Sequence, residues 1–251
     1  MERRKWTRDE LILAFNLYCK TSFGRIHNRN PEIITLAKAL GRTPSALSWK
    51  LANFARFDPA LKQRNISGAG HGGKLEGEVW SEFFQNWEKL SFESEKLRIN
   101  LLGERVELDK DEVFPDGKTR EALVRLRVNQ GFFRAAILAA YGSKCCITGL
   151  AVSDLLCASH IVPWSIDLKN RTNPRNGLCL NAFHDRAFDR GYFTITSGYK
   201  VQLSPSVHKL KDAGAKILLH PFEGAEIRLP GRFQPDVSFL KYHSEHIYRD
   251  R

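Results

Sequence analysis

Residues 144–195 read KCCITGLAVSDLLCASHIVPWSIDLKNRTNPRNGLCLNAFHDRAFDRGYFTI, and three short signals stand in order within them. Leu155 to Ile161 is an apolar strand that carries His160 near its end. The run Asn173-Pro174-Arg175-Asn176-Gly177 is turn chemistry and opens a second short strand, Asn176 to Leu180. Asn181 to Arg190 then reads as a helix with His184 in its first turn and a stop at Gly191.

Working outward, Arg125 to Tyr141 predicts a helix with Phe132, Phe133, Ile137, Leu138 and Tyr141 on or near its buried side. Arg127, Gln130 and Arg134 remain exposed on this reading. Pro115-Asp116-Gly117 is a turn signal. Val79 to about Leu97 predicts one further helix, in which Trp80, Phe83, Phe84 and Trp87 recur at three- and four-residue steps and read as core. Its glutamates would repel DNA, so it is expected to act as a spacer or dimerisation element. Ser67 to Gly73 is glycine-rich and lacks the spacing of a phosphate-cradling loop, which leaves a flexible linker.

The first 66 residues predict three helices. Thr7 with Glu10 is a capping box, and the helix it opens runs to about Lys20. Pro31 fits a first turn, followed by Ile33, Ile34, Ala37 and Leu40 at helical period. Gly41 suits a tight exit. Thr43 then caps a third helix with Pro44 in its first turn and Leu47, Leu51 and Phe54 on its apolar face. Helix, glycine turn and helix in so short a span is the helix-turn-helix layout, whose second helix enters the DNA major groove. Arg42, Ser45, Ser48 and Lys50 are its candidate DNA contacts. Trp6-Thr7 and the three-helix count are also similar to Myb-like DNA-binding modules. A plain helical bundle that binds nothing is the alternative.

Charge supports a polyanionic partner. The 251 residues hold 39 Lys and Arg against 28 Asp and Glu, a net +11. Residues 1–70 are net +8, 71–120 net −4 and 121–251 net +7, so two basic ends flank an acidic middle. No apolar run approaches a membrane span, and the charged start predicts no secretion signal. Five cysteines, an odd count, point to free thiols and a reducing, cytoplasmic compartment.

The stretch 144–195 resembles the HNH endonucleases. It is similar to the branch with the pattern A-[AS]-H-I-x-P-W … N-x-x-N-G-L-x-L … H-x-x-x-F-D-x-G, found in restriction-type enzymes, and the ending Phe239 to Tyr248 also resembles theirs. The resemblance implies a ββα-metal nuclease domain at 121–251; with the helix-turn-helix-like module at 1–66 and an acidic helical linker at 67–120 read from the residues above, an α+β protein is expected. The resemblance also implies metal-dependent hydrolysis of double-stranded DNA in a restriction or defence setting. His160 matches the general base, Asn176 the asparagine that holds the intervening loop, and His184 a metal ligand. A neutral imidazole can take a proton from water near neutral pH, which suits the base. Arg175, Arg186 and Arg190 are placed to clamp phosphates.

The implied cofactor is a divalent metal, Mg²⁺ with Mn²⁺ or Ni²⁺ as alternatives. Many HNH enzymes carry Asp or His directly before the base, where Ser159 stands here. Asp189 is a further candidate ligand, although five residues beyond His184 is about 140° round a helix; a salt bridge to a nearby arginine is its other role. Asp185 is a third. Cys145 and Cys146 are adjacent, with no second pair, so buried thiols are expected and a structural zinc is not. His208, His220, His243 and His246 lack flanking ligand patterns. The rival functions are a non-catalytic DNA-binding regulator that keeps the nuclease fold, and an RNA nuclease. A homodimer is compatible with each, and no membrane association is expected.

Overall fold

The Thr7 hydroxyl accepts from the Glu10 N–H, and the Glu10 carboxylate accepts from the Thr7 N–H. This reciprocal pair satisfies two otherwise orphaned donors and opens α1, Arg8–Lys20. Helix α2, Pro31–Ala39, starts beneath Asn30, and α3, Pro44–Phe54, beneath Thr43; each cap accepts from a first-turn N–H. Gly41, at φ +61°, turns the chain between them. Then follow α4, Pro59–Gln63, α5, Lys74–Phe83, α6, Trp87–Leu102, and α7, Arg120–Ala140. The computed structural model describes residues 4–63, 65, 73–103 and 120–249. Most of the glycine-rich linker and the turn expected at 115–117 lie outside the described residues.

The chain divides into two units, Met1–Ala136 and Ile137–Arg251. In the first, α1 is the central helix. Every residue from Leu11 to Asn16 is buried, because α3, α5 and α6 all pack on it. Phe15 sits at the middle, with ring centroids of Phe54, Trp80 and Trp87 at 4.9, 5.0 and 6.1 Å. The aromatic stripe is therefore core. The single helix expected from Val79 to Leu97 is two helices instead, broken at Phe84–Asn86. The break lets Trp80 and Trp87 reach the same phenylalanine from different helices. On α7, Asn129 lies 2.6 Å from the Ser91 hydroxyl, which donates to it, and Phe132 stacks on Trp87.

In the second unit, β1, Leu156–His160, pairs antiparallel with β2, Gly177–Asn181, with His160 opposite Gly177. Helix α8, Ala182–Asp189, follows at once, capped by Asn181 Oδ1, and packs on both strands. A second hairpin joins β3, Phe193–Ile195, to β4, Val201–Leu203. Two short helices follow, α9, Pro205–His208, and α10, Ala213–Leu218, and then α11, Val237–His246. The chain is α+β.

Helix α11 closes on the end of α8. The His243 ring lies flat on Phe188, with centroids 3.7 Å apart and planes 6° off parallel. Its Nε2 donates to the Phe188 carbonyl, and its Nδ1 accepts from the Thr194 hydroxyl. Gly191 ends α8 at φ +70°, and a Cβ there would meet the Ile247 carbonyl oxygen at 2.1 Å. Glycine is required on both counts. Among the described residues, no helix is long and apolar enough to cross a membrane.

Candidate active site

Successive side chains of a strand point to opposite faces, so His160 and Ser159 diverge. Ser159 is 2% exposed, and among the described residues its hydroxyl has no hydrogen-bond partner. Its side chain is turned into the core.

His160 Nε2 is 2.9 Å from the Arg171 carbonyl oxygen. A carbonyl only accepts, so Nε2 carries the proton and Nδ1 the lone pair. The ring meets Trp164 edge-on at 5.4 Å. Burial pushes the imidazole pKa below its ordinary value, and the Arg171 carbonyl and the charge of Asp185 pull it back only in part. The ring is therefore neutral at pH 7 and can accept a proton.

Asn176 fixes the long connection between the strands. It is fully buried. Its Oδ1 accepts from the Val162 N–H at 2.8 Å, and its Nδ2 donates to the carbonyls of Val162 and Asn170. One side chain so ties together both ends of the loop that carries Trp164 and Arg171.

His184 is elsewhere. It is 2% exposed and ringed by Phe183, Phe193 and Phe222. Its Nε2 donates to the Leu218 carbonyl at 2.9 Å, and its Nδ1 faces Asn181 Oδ1 at 3.1 Å. Burial lowers its pKa. With both ring nitrogens turned inward, its expected role as a metal ligand does not fit, and the side chain packs α8 against the chain after α10.

Asp185 and Asp189 are one helical turn apart on α8, so they share a face. Asp185 acts on His160, as described, and also on Asp189. The Asp189 carboxyl is pushed up to about 6, by burial first and by Asp185 second; Arg186 and Arg190 oppose the rise. A carboxyl whose proton affinity is raised by a neighbouring carboxylate is one that a cation would relieve. The spacing of four was visible in the sequence; counting from His184 concealed it. Arg186 and Arg190 are exposed, and Arg175 is ion-paired to Asp236 at 2.9 Å.

Two expected DNA contacts of the first unit are spoken for. Arg42 hydrogen-bonds Glu10 at 2.8 Å and the carbonyls of Arg4 and Lys5 at 2.7 Å, and its side chain is 10% exposed. Lys50 is paired with Glu76, whose side chain is 1% exposed and also meets Asn53 and Arg56. Both cations neutralise buried acids rather than face solvent, which corrects their assignment as groove contacts. Ser45 is exposed, and the half-buried Ser48 donates to the Pro44 carbonyl.

A histidine-bearing strand, a loop pinned by asparagine, a second strand and a helix bearing two carboxylates follow one another in this order. Residues 145–196 match the family model described as HNH endonuclease. No curated protein matches the chain. The HNH segment begins at the buried pair Cys145 and Cys146 and runs through β3. Burial pushes the Cys146 thiol well above its usual range, which disfavours the thiolate that binds metal or attacks substrate.

HNH nucleases typically use a divalent metal. Among the described residues, no three His, Cys, Asp or Glu side chains converge to hold one unaided. The Asp185–Asp189 pair still fits Mg²⁺ or Mn²⁺, because Mg²⁺ binds through one or two carboxylates and completes its shell with water and substrate phosphate.

Proposed function

We propose that the protein is a metal-dependent endonuclease that hydrolyses the phosphodiester backbone of duplex DNA in a restriction-like role. The observation that carries this reading is a neutral His160 at the end of β1, within electrostatic reach of Asp185 on α8, which in turn acts on Asp189 one helical turn along.

The chemistry follows from these positions. His160 Nδ1 takes the proton of the attacking water, while the Arg171 carbonyl keeps Nε2–H directed inward and steadies the imidazolium that forms. Asn176 holds the loop and hence the ring orientation. Asp185 and Asp189 would hold the metal, which would supply Lewis-acid stabilisation of the charge that develops on the leaving oxygen. Arg186 and Arg190 meet flanking phosphates. The net +8 over residues 1–70 suits a polyanion, and the helix-turn-helix layout within them favours duplex DNA over RNA. The rival reading as a non-catalytic regulator leans on Ser159, and the arrangement proposed does not draw on that buried residue.

The test is incubation of the purified full chain with plasmid, base-modified phage DNA and RNA, each with Mg²⁺, Mn²⁺, Ni²⁺ or EDTA. Metal-dependent scission of duplex DNA is the expected result. Scission undiminished in EDTA, or none in any metal, overturns the reading.

A further inference from the structure

With Arg42 and Lys50 committed to buried acids, the solvent face of α3 has a different composition. Ser45, Ser48, Trp49 and Ala52 lie along it at helical spacing, and Trp49 is 64% exposed. An exposed tryptophan on an otherwise small-residue face has no packing role in its own unit. It borders a shallow depression of about 290 Å³ that Ile26 and Asn28 close from the preceding loop. The Asn28 amide donates to the Ser45 hydroxyl at 3.1 Å, which fixes that loop against the helix. The same loop presents Arg25, His27 and Arg29 to solvent. From residue 11 to residue 57 the single acid is Glu32, so no carboxylate of the loop or of α3 opposes these cations.

We infer that this face, centred on Trp49 and flanked by Arg25 and Arg29, is the surface by which the N-terminal unit holds duplex DNA. The inference rests on the nuclease reading for its polyanionic substrate but assigns a surface that the reading does not contain. Charge complementarity selects the partner. The cations of the loop pair with phosphates, while the small side chains of Ser45, Ser48 and Ala52 let α3 approach the floor of a major groove about 12 Å wide. Trp49 then supplies apolar contact with base edges, and the Ser45 hydroxyl, which accepts from Asn28, keeps its own proton to donate.

The experiment is anisotropy with a labelled random-sequence 20-base-pair duplex and full-length protein in EDTA. Trp49→Ala should weaken binding by about tenfold or more, as a desolvated tryptophan anchor does. Its melting temperature should stay unchanged, since the side chain is exposed. The double variant Arg25→Ala/Arg29→Ala should flatten the log–log salt dependence by about two, from roughly 0.9 per phosphate contact. Acrylamide quenching of the Trp49 contribution, taken as the difference between wild type and Trp49→Phe, should fall when duplex is added. A Trp49→Ala protein that binds duplex like wild type overturns the inference, as does one that loses only single-stranded RNA. Metal-dependent cutting by Trp49→Ala at saturating DNA separates the two ideas: the inference expects it to persist, and its absence in wild type would remove the nuclease reading instead.

Discussion

The Nε2 atom of His160 lies 2.9 Å from the carbonyl oxygen of Arg171, eleven residues further along the chain. That bond selects the tautomer and so decides which nitrogen can act as base. His160→Ala should lower the cleavage rate by about 10²–10⁴, the usual worth of a general base, with DNA affinity little changed. Because burial lowers the pKa of the ring, activity should hold below pH 6.5 and fall only on further acidification, as the imidazole protonates. A rate profile whose acid limb lies above pH 6.5 would remove His160 from the role.

Asp185→Asn and Asp189→Asn should each raise the metal concentration needed for half-maximal activity. Calorimetric titration with Mn²⁺ gives the same comparison without catalysis. Asp189 has a carboxyl pushed up to about 6, so it is ionised above that pH and protonated below it. Metal affinity should therefore weaken as pH falls through about 6. His184→Ala should leave the metal titration unmoved and instead cost about 2–4 kcal/mol of stability through a cavity and an orphaned Leu218 carbonyl. A shifted titration for His184→Ala with an intact fold would restore it as a ligand.

Arg42→Ala should act on folding. Burial alone would push the Glu10 carboxyl up, but its hydrogen bonds to Arg42 and the Thr7 N–H hold it below the usual carboxylate range. Removing the guanidinium strands that charge, at a cost of about 2–4 kcal/mol. Thermal unfolding should show the loss, and duplex affinity measured well below the transition should be unchanged. A stable Arg42→Ala protein with weakened DNA binding would contradict the interior role.

Stability of the second unit should depend on pH through His243. Burial holds its pKa at about 4, against an ordinary value of 6.5. The unfolded chain takes up the proton first as pH falls, so the stabilisation is complete above pH 6.5 and is lost progressively down to about pH 4. The full loss is on the order of 3 kcal/mol. Denaturant unfolding at a series of pH values should show this slope. His243→Gln, which can still donate to Phe188 and accept from Thr194, should flatten it while keeping the fold.

Local chemistry was legible in the sequence where it is self-contained. Thr7 with Glu10, and Thr43 with Pro44, announce helix starts because the cap and its partner lie within one turn. The β1–β2–α8 order likewise follows from turn residues and apolar runs. What failed to show depends on partners far away in the chain. Arg42 and Lys50 read as free cations because Glu10 and Glu76 lie 32 and 26 residues off. The break at Phe84–Asn86 was invisible because an aromatic stripe has the same spacing in one helix as in two. His184 against Asp185 is a matter of one residue of helical phase, set by the Asn181 cap and the aromatic cage around the imidazole.

The closure of α11 on α8 has a consequence for portability. The match to the HNH endonuclease family model ends at residue 196. Yet the helix bearing its carboxylates is terminated against Ile247, and its Phe188 is roofed by His243. Recognition and folding therefore have different lengths along this chain. A fragment cut at the motif's edge would keep every residue of the proposed chemistry while losing the surface on which Phe188 and Gly191 rest. Grafting this segment onto another protein would require carrying the chain through Tyr248, some fifty residues that contribute no side chain to the proposed chemistry.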